Sequence, residues 1–158
     1  QPFTVIVDYA FEPRAVEKLY ETVEALPHNK IIHLLGSAGG GRDQSRRAVL
    51  GELAGKRADI AIVSDEDPYD EDPLAIIAQV AASAEKAGKI PNQDLFTIPD
   101  RRSAIAKAFS LAGPDDIVLI TGKGSEQAIC RAHGRKEAWD DRNVSREELE
   151  KMARPVDK

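Results

Sequence analysis

Charged residues and glycines gather in a few short stretches of this chain, and each combination suits a particular chemistry. Gly36-Ser37-Ala38-Gly39-Gly40-Gly41 runs into Arg42, Arg46 and Arg47. Glycines let an anion approach backbone N–H groups at a helix start, and arginine forks match carboxylates or phosphates. No Lys-Ser or Lys-Thr follows at the spacing of a phosphate-binding loop, and the pattern is not GxGxxG. Taken alone, the turn reads equally well as a flexible connection. Asp65-Glu66-Asp67-Pro68 concentrates negative charge that could grip an ammonium group or help hold a metal. The plainer reading is a solvated acidic loop whose last members, Asp70 to Asp72, cap the following helix. Gly122-Lys123-Gly124-Ser125-Glu126 sets a lysine between two conformationally free glycines. Its glutamate would accept from a cationic ligand or face the amino end of a short helix. His28, His33 and His133 are far apart in the chain, so neither a metal triad nor a Ser–His–Asp arrangement is suggested, and no catalytic residue is assigned.

Composition narrows the field. The 158 residues suffice for one packed core. A formal charge of −5, from 22 basic and 27 acidic residues, argues against a sequence-independent grip on nucleic acid. No apolar run approaches the roughly 20 residues needed to cross a bilayer. The first residues, Gln1-Pro2-Phe3-Thr4-Val5, lack a signal-peptide pattern and read as immediate entry into a strand, as though a preceding segment were absent. With Cys130 as the single cysteine, a disulfide framework is excluded, and a reducing cytoplasm is the expected location.

The elements that must position these stretches alternate between short apolar strands and longer helical patterns. Strands are expected at Thr4–Val7, Lys30–Leu35, Asp59–Val63, Leu95–Ile98 and Ile117–Ile120. Between them, helices begin near Pro13, Asp43, Pro73 and Asp100. Their expected inward residues include Ala15, Val16, Leu19, Val23 and Leu26 in the first, Val49, Leu50 and Leu53 in the second, and Leu74, Ile77 and Val80 in the third. A last helix, Ser145–Met152, has a capping-box start, and the tail from Ala153 is expected to fray. The expected fold is α/β and Rossmann-like, with a mostly parallel sheet of about five or six strands and helices on both faces. In such sheets ligands collect beyond the carboxyl ends of the strands. Asp8, Gly36–Arg47, Asp65–Asp72 and Gly122–Glu126 all fall there.

In order, these turns resemble the carboxy-terminal domain of the Mur ligase family, most nearly of its members that add the third peptide residue in bacterial wall synthesis. Val7-Asp8-Tyr9-Ala10-Phe11-Glu12-Pro13 is similar to the family's DYAHTP segment, and Gly39-Gly40-Gly41-Arg42-Asp43 with Arg47 to GGDRDxGKRP. Ser64–Pro73 resembles SDNPRxEDP, Thr121–Glu126 resembles GKGHE, and Trp139-Asp140-Asp141-Arg142 resembles FDDRE. The resemblance spans nearly the whole chain and implies a single domain over residues 1–158, with amino-terminal and central domains upstream. It implies ATP-dependent amide formation on a UDP-N-acetylmuramoyl-peptide. ATP and Mg2+ would be bound mainly by the central domain, while this domain supplies the amino-acid pocket and closes over the nucleotide. By the same resemblance Arg42 would bind the incoming amino acid's carboxylate, Gly122 and Glu126 would line its side-chain pocket, and Asp65 and Asp67 would form the specificity element. Asp8 would lie near the nucleotide, with Phe11 in place of the family's histidine. Tyr69 stands where an arginine marks the diaminopimelate enzymes, so a lysine-like diamino acid is the expected substrate. Two other readings stand beside this one: a stand-alone nucleotide- or partner-binding module, and a folylpolyglutamate synthetase-like ligase domain. The latter adds glutamate, which Asp65, Asp67 and Glu126 would repel.

Overall fold

Nearly continuous apolar runs of four or five residues cannot leave either side of a strand in water, so they form a sheet covered on both faces. The computed structural model describes residues 1–153. Its elements run β1 (Thr4–Asp8), α1 (Pro13–Glu24), β2 (Ile31–Leu35), α2 (Ser45–Arg57), β3 (Ile60–Val63), α3 (Pro73–Lys86), β4 (Leu95–Thr97), α4 (Arg101–Leu111), β5 (Ile117–Thr121), β6 (Ala128–Cys130), β7 (Lys136–Ala138) and α5 (Asp141–Ala153). The main sheet has five strands in the order β1-β5-β2-β3-β4, all parallel. Alternate strand residues feed two cores. Ile31, Leu35, Ala61, Val63, Ile117 and Leu119 pack against α1, α2 and α3. Ile32, Leu34, Ile62, Val118 and Ile120 pack against α4 and α5. The arrangement follows from crossover handedness: the steps from β1 to β4 run one way along the sheet, and the step from β4 to β5 runs back. The reversal beside β5 opens the crevice at the carboxyl edge. No described helix is long and apolar enough to cross a membrane.

Several local expectations are corrected. α1 stops at Glu24, leaving Leu26 45% exposed beyond its end, and Tyr20 fills the core instead. Ala15, Val49 and Leu74 face outward. α5 begins at Asp141 rather than Ser145. Asp140 provides the start, its Oδ1 accepting from the backbone N–H groups of Arg142 and Asn143 at 2.9 and 3.4 Å. Ser145 is buried inside the helix, its hydroxyl without a hydrogen-bond partner among the described residues. The antiparallel pair β6–β7 was not expected, because strands of three residues carry little periodicity. The expected fraying beyond Ala153 lies outside the described residues.

Candidate functional site

Beyond β3 the chain enters Asp65-Glu66-Asp67, and the expectation of a solvated loop fails here. The three residues are only 7%, 6% and 8% exposed. Buried carboxylates need partners, and each of the three meets a different fate. Asp65 is ion-paired to Arg131, which follows β6. Both oxygens of Asp67 accept from Lys123 Nζ at 2.9 Å, and its Oδ1 also takes the backbone N–H of Cys130 at 2.7 Å. The Glu66 side chain has no hydrogen-bond partner among the described residues. Burial pushes its carboxyl pKa up to about 7, with Arg101 easing the shift and Asp67 adding to it.

Two glycines make the slot that holds Glu66. A Cβ on Gly122 would lie 2.4 Å from Glu66 Oε2, and one on Gly36 would lie 3.0 Å from Glu66 Cβ. Gly122 also has a φ of +102°, which side-chain-bearing residues rarely adopt. The carboxyl of β3's turn therefore sits between the ends of β2 and β5, where any side chain at either position would displace it.

The turn after β5 turns its charge inward. Lys123 is 1% exposed. Burial disfavours its charge, but hydrogen bonds with Glu126 and Asp67 outweigh that and raise its pKa. Glu126 also accepts from the Tyr9 hydroxyl at 3.2 Å, which ties this turn to the end of β1. The arginines after the glycine-rich turn divide three ways. Arg47 is 2% exposed and joins α2 to α3 through Gln79 at 3.0 Å and to the turn before α3 through Glu71 at 2.8 Å. Arg46 pairs with Glu12 at 2.6 Å and lies over the Phe11 ring. Arg42 is exposed, without an acidic partner among the described residues, and its guanidinium lies 5.9 Å from the Tyr69 ring centre.

A cavity of about 300 Å³ opens between these turns. Of the residues singled out from the sequence, it brings together Phe11, Arg42, Arg46, Asp67, Tyr69, Gly122 and Glu126, and it adds the Glu66 carboxyl. Asp65 is not in its wall. Asp8 lines a neighbouring open cavity of about 440 Å³ that shares Tyr9 and Phe11, and its Oδ1 closes a turn by accepting from Ala10 N–H at 2.7 Å. Arg101 and Arg131 were not selected from the sequence, and Glu66 and Lys123 were read there only as members of their charged turns. Glycines ending both β2 and β5 were the one available sign of a slot for Glu66. No group of three or more His, Cys, Asp or Glu is placed to hold a metal ion among the described residues. The cavity instead offers a free guanidinium at its rim and an unpaired carboxyl on its wall. That arrangement suits a zwitterion bearing an extra cation.

Comparison with known proteins adds to this geometry. A family model described as "Mur ligase, glutamate ligase domain" matches residues 1–124. The UDP-N-acetylmuramyl-tripeptide synthetase of Roseiflexus sp. (strain RS-1) is 51% identical over 129 residues, covering 82% of this chain and 25% of that protein. The UDP-N-acetylmuramoyl-L-alanyl-D-glutamate--2,6-diaminopimelate ligase of Clostridioides difficile (strain 630) is 38% identical over 151 residues, covering 94% and 30%. A solved structure of a UDP-N-acetylmuramoyl-L-alanyl-D-glutamate--2,6-diaminopimelate ligase superposes with a TM-score of 0.84 at 28% identity, covering 98% of this chain and 31% of its own. The chain thus spans about a quarter to a third of the length of these relatives.

Proposed function

The chain belongs to the Mur ligase family, and on that premise we propose that it is the carboxy-terminal, amino-acid-selecting domain of an ATP-dependent peptide ligase. The full enzyme adds a diamino acid, L-lysine or a close analogue, to UDP-N-acetylmuramoyl-dipeptide during peptidoglycan-precursor synthesis. Relatives named both as tripeptide synthetases and as diaminopimelate ligases support the reaction class and leave the amino acid open. One observation carries the choice of a bare ammonium: Glu66 presents an unpaired, nearly buried carboxyl to the cavity. Asp67 and Glu126 are already bound to Lys123. Tyr69, not a cation, faces Arg42, so a distal carboxylate on the substrate would meet Glu66 without compensation.

In this reading Arg42 takes the amino acid's α-carboxylate and Glu66 its distal ammonium. The two contacts orient the α-amine toward the activated carboxyl of the acceptor. ATP, held by upstream domains with Mg2+, supplies the activation as an acyl phosphate. This domain closes over it, and Tyr9 and Phe11 cover the nucleotide side and exclude water. The test is an amino-acid panel with the full-length enzyme. L-Lysine is expected to be incorporated ahead of diaminopimelate. Arg42→Ala and Glu66→Gln should each raise the amino-acid KM at least tenfold, with little change in the KM for ATP. Incorporation of diaminopimelate equal to or better than lysine would sink the substrate assignment.

A further inference from the structure

The stretch Trp139-Asp140-Asp141-Arg142 has no part in the pocket wall, yet it leads to the most deeply buried ion pair described. Arg101 is 2% exposed and Asp141 fully buried. Arg101 Nε and Nη2 donate to Asp141 Oδ1 and Oδ2, each at 2.8 Å. The remaining reach of the guanidinium goes to main-chain carbonyls: Nη1 to Asp65 O at 3.0 Å and Nη2 to Thr121 O at 2.8 Å. Trp139 Nε1 donates to Asp141 Oδ1 at 2.8 Å and steadies the carboxylate from behind.

Those two carbonyls immediately precede Glu66 and Gly122, the pair whose fit forms the slot. β3 and β5 are not neighbours, because β2 lies between them. No ladder hydrogen bond therefore sets the distance between their turns: Lys123 and Asp67 join them through side chains, and the Arg101 guanidinium joins them by holding the main chain of both. Helix stability does not account for Arg101, since a cation as the first residue of α4 opposes the helix dipole. Nor is a buried ion pair, as such, a source of net stability. A five-donor planar fork that bridges two non-adjacent turns is suited to fixing geometry.

We infer that Arg101 and Asp141 are the positioning residues of the amino-acid pocket: the ion pair clamps the turns after β3 and β5 at the spacing that fits the substrate's side chain. The inference deepens the proposed function and rests on the pocket being the amino-acid site. It is tested in the full-length enzyme with Asp141→Asn, Arg101→Lys and Trp139→Phe, measuring the KM for amino acid, ATP and UDP-substrate, the amino-acid preference, and the Tm. Arg101→Lys keeps the charge but cannot reach three partners at once. Trp139→Phe removes a single hydrogen bond and should fold even where the other two do not. Arg101→Lys and Asp141→Asn are expected to raise the amino-acid KM tenfold or more and to narrow the preference between amino acids. The KM for ATP and for UDP-substrate should stay within about twofold. Trp139→Phe should act in the same direction and more weakly. A lowered Tm with an unchanged amino-acid KM, or a parallel rise in all three KM values, would overturn the clamp. A wild-type enzyme preferring a different amino acid would instead refute the substrate assignment, and the clamp would be read on that amino acid.

Discussion

Glu66 shows how a residue can be costly to the fold and useful to the site. Its carboxyl sits between Gly36 and Gly122, with its pKa pushed up to about 7 from an ordinary 4.5 by burial. The folded state therefore holds this proton more tightly than the unfolded chain. The resulting stability is full below pH 4.5 and is lost as the pH rises through 7. Each pH unit of displacement being worth about 1.4 kcal/mol, ionised Glu66 costs the fold on the order of 3 kcal/mol. Glu66→Gln should accordingly raise the Tm at pH 8 and leave it little changed at pH 4.5, as followed by calorimetry across that range. A substrate ammonium would restore the ionised form, so the amino-acid KM of the full enzyme should rise as the pH falls below 7. Gly122→Ala puts a Cβ within 2.4 Å of the same carboxyl at a φ of +102°. It should lose amino-acid binding at least tenfold, readable as a KM change in the full enzyme. Sequence reasoning reached the acidic turn but chose Asp65 and Asp67. Which of three consecutive acids stays unpaired depends on Lys123 and Arg131, dozens of residues away.

Among the elements, α2 and α3 pack most closely, because glycines on α2 remove the side chains that would hold them apart. A Cβ on Gly51 would lie 2.1 Å from Val80 O, and one on Gly55 would lie 2.6 Å from Ala87 Cβ. Helix propensity alone would favour alanine at both positions by about 1 kcal/mol. Gly51→Ala should nonetheless destabilise by roughly 1–3 kcal/mol, because α3 must move away. Chemical denaturation would measure this, and a stabilised variant would contradict the close approach. Arg47, buried between the same helices with Glu71, Gln79 and Ala38 O as partners, adds a polar lock. The helix periods were legible in the sequence, but the wider face was misjudged where Val49 and Leu74 point outward. A binary pattern identifies a stripe without saying how much of it the neighbouring helix covers.

Across the whole molecule, one buried chain of hydrogen bonds joins α1, β2 and β5: Tyr20 OH to His33 Nδ1 at 2.6 Å, and His33 Nε2 to Thr121 Oγ1 at 2.8 Å. Burial pulls the His33 pKa down from 6.5 to about 3, with Arg101 adding to the effect. Its contribution to stability is present above pH 6.5 and lost as the pH falls toward 3, and is on the order of 5 kcal/mol. Acid titration of unfolding free energy should therefore be flatter between pH 6.5 and 3 in His33→Gln, even though that variant starts less stable at pH 7. This chain alone, which has no GxxGKT-type phosphate loop in its sequence, should show no ATP-dependent amide formation, and turnover by it would refute the domain assignment. The sequence by itself determined the parallel α/β fold, the strand ends as the place where chemistry gathers, and five turns in an order that resembles one ligase family. Strand–helix periodicity and turn residues are local properties, so they can be read along the chain. Only the tertiary structure decided that Arg131 pairs with Asp65 and Lys123 with Asp67 and Glu126, that Glu66 is the unpaired one of the three consecutive acids, and that Arg101 ties two non-adjacent turns together. Ion pairing in a buried site depends on distances between residues far apart in sequence, and those distances exist only once the sheet has formed.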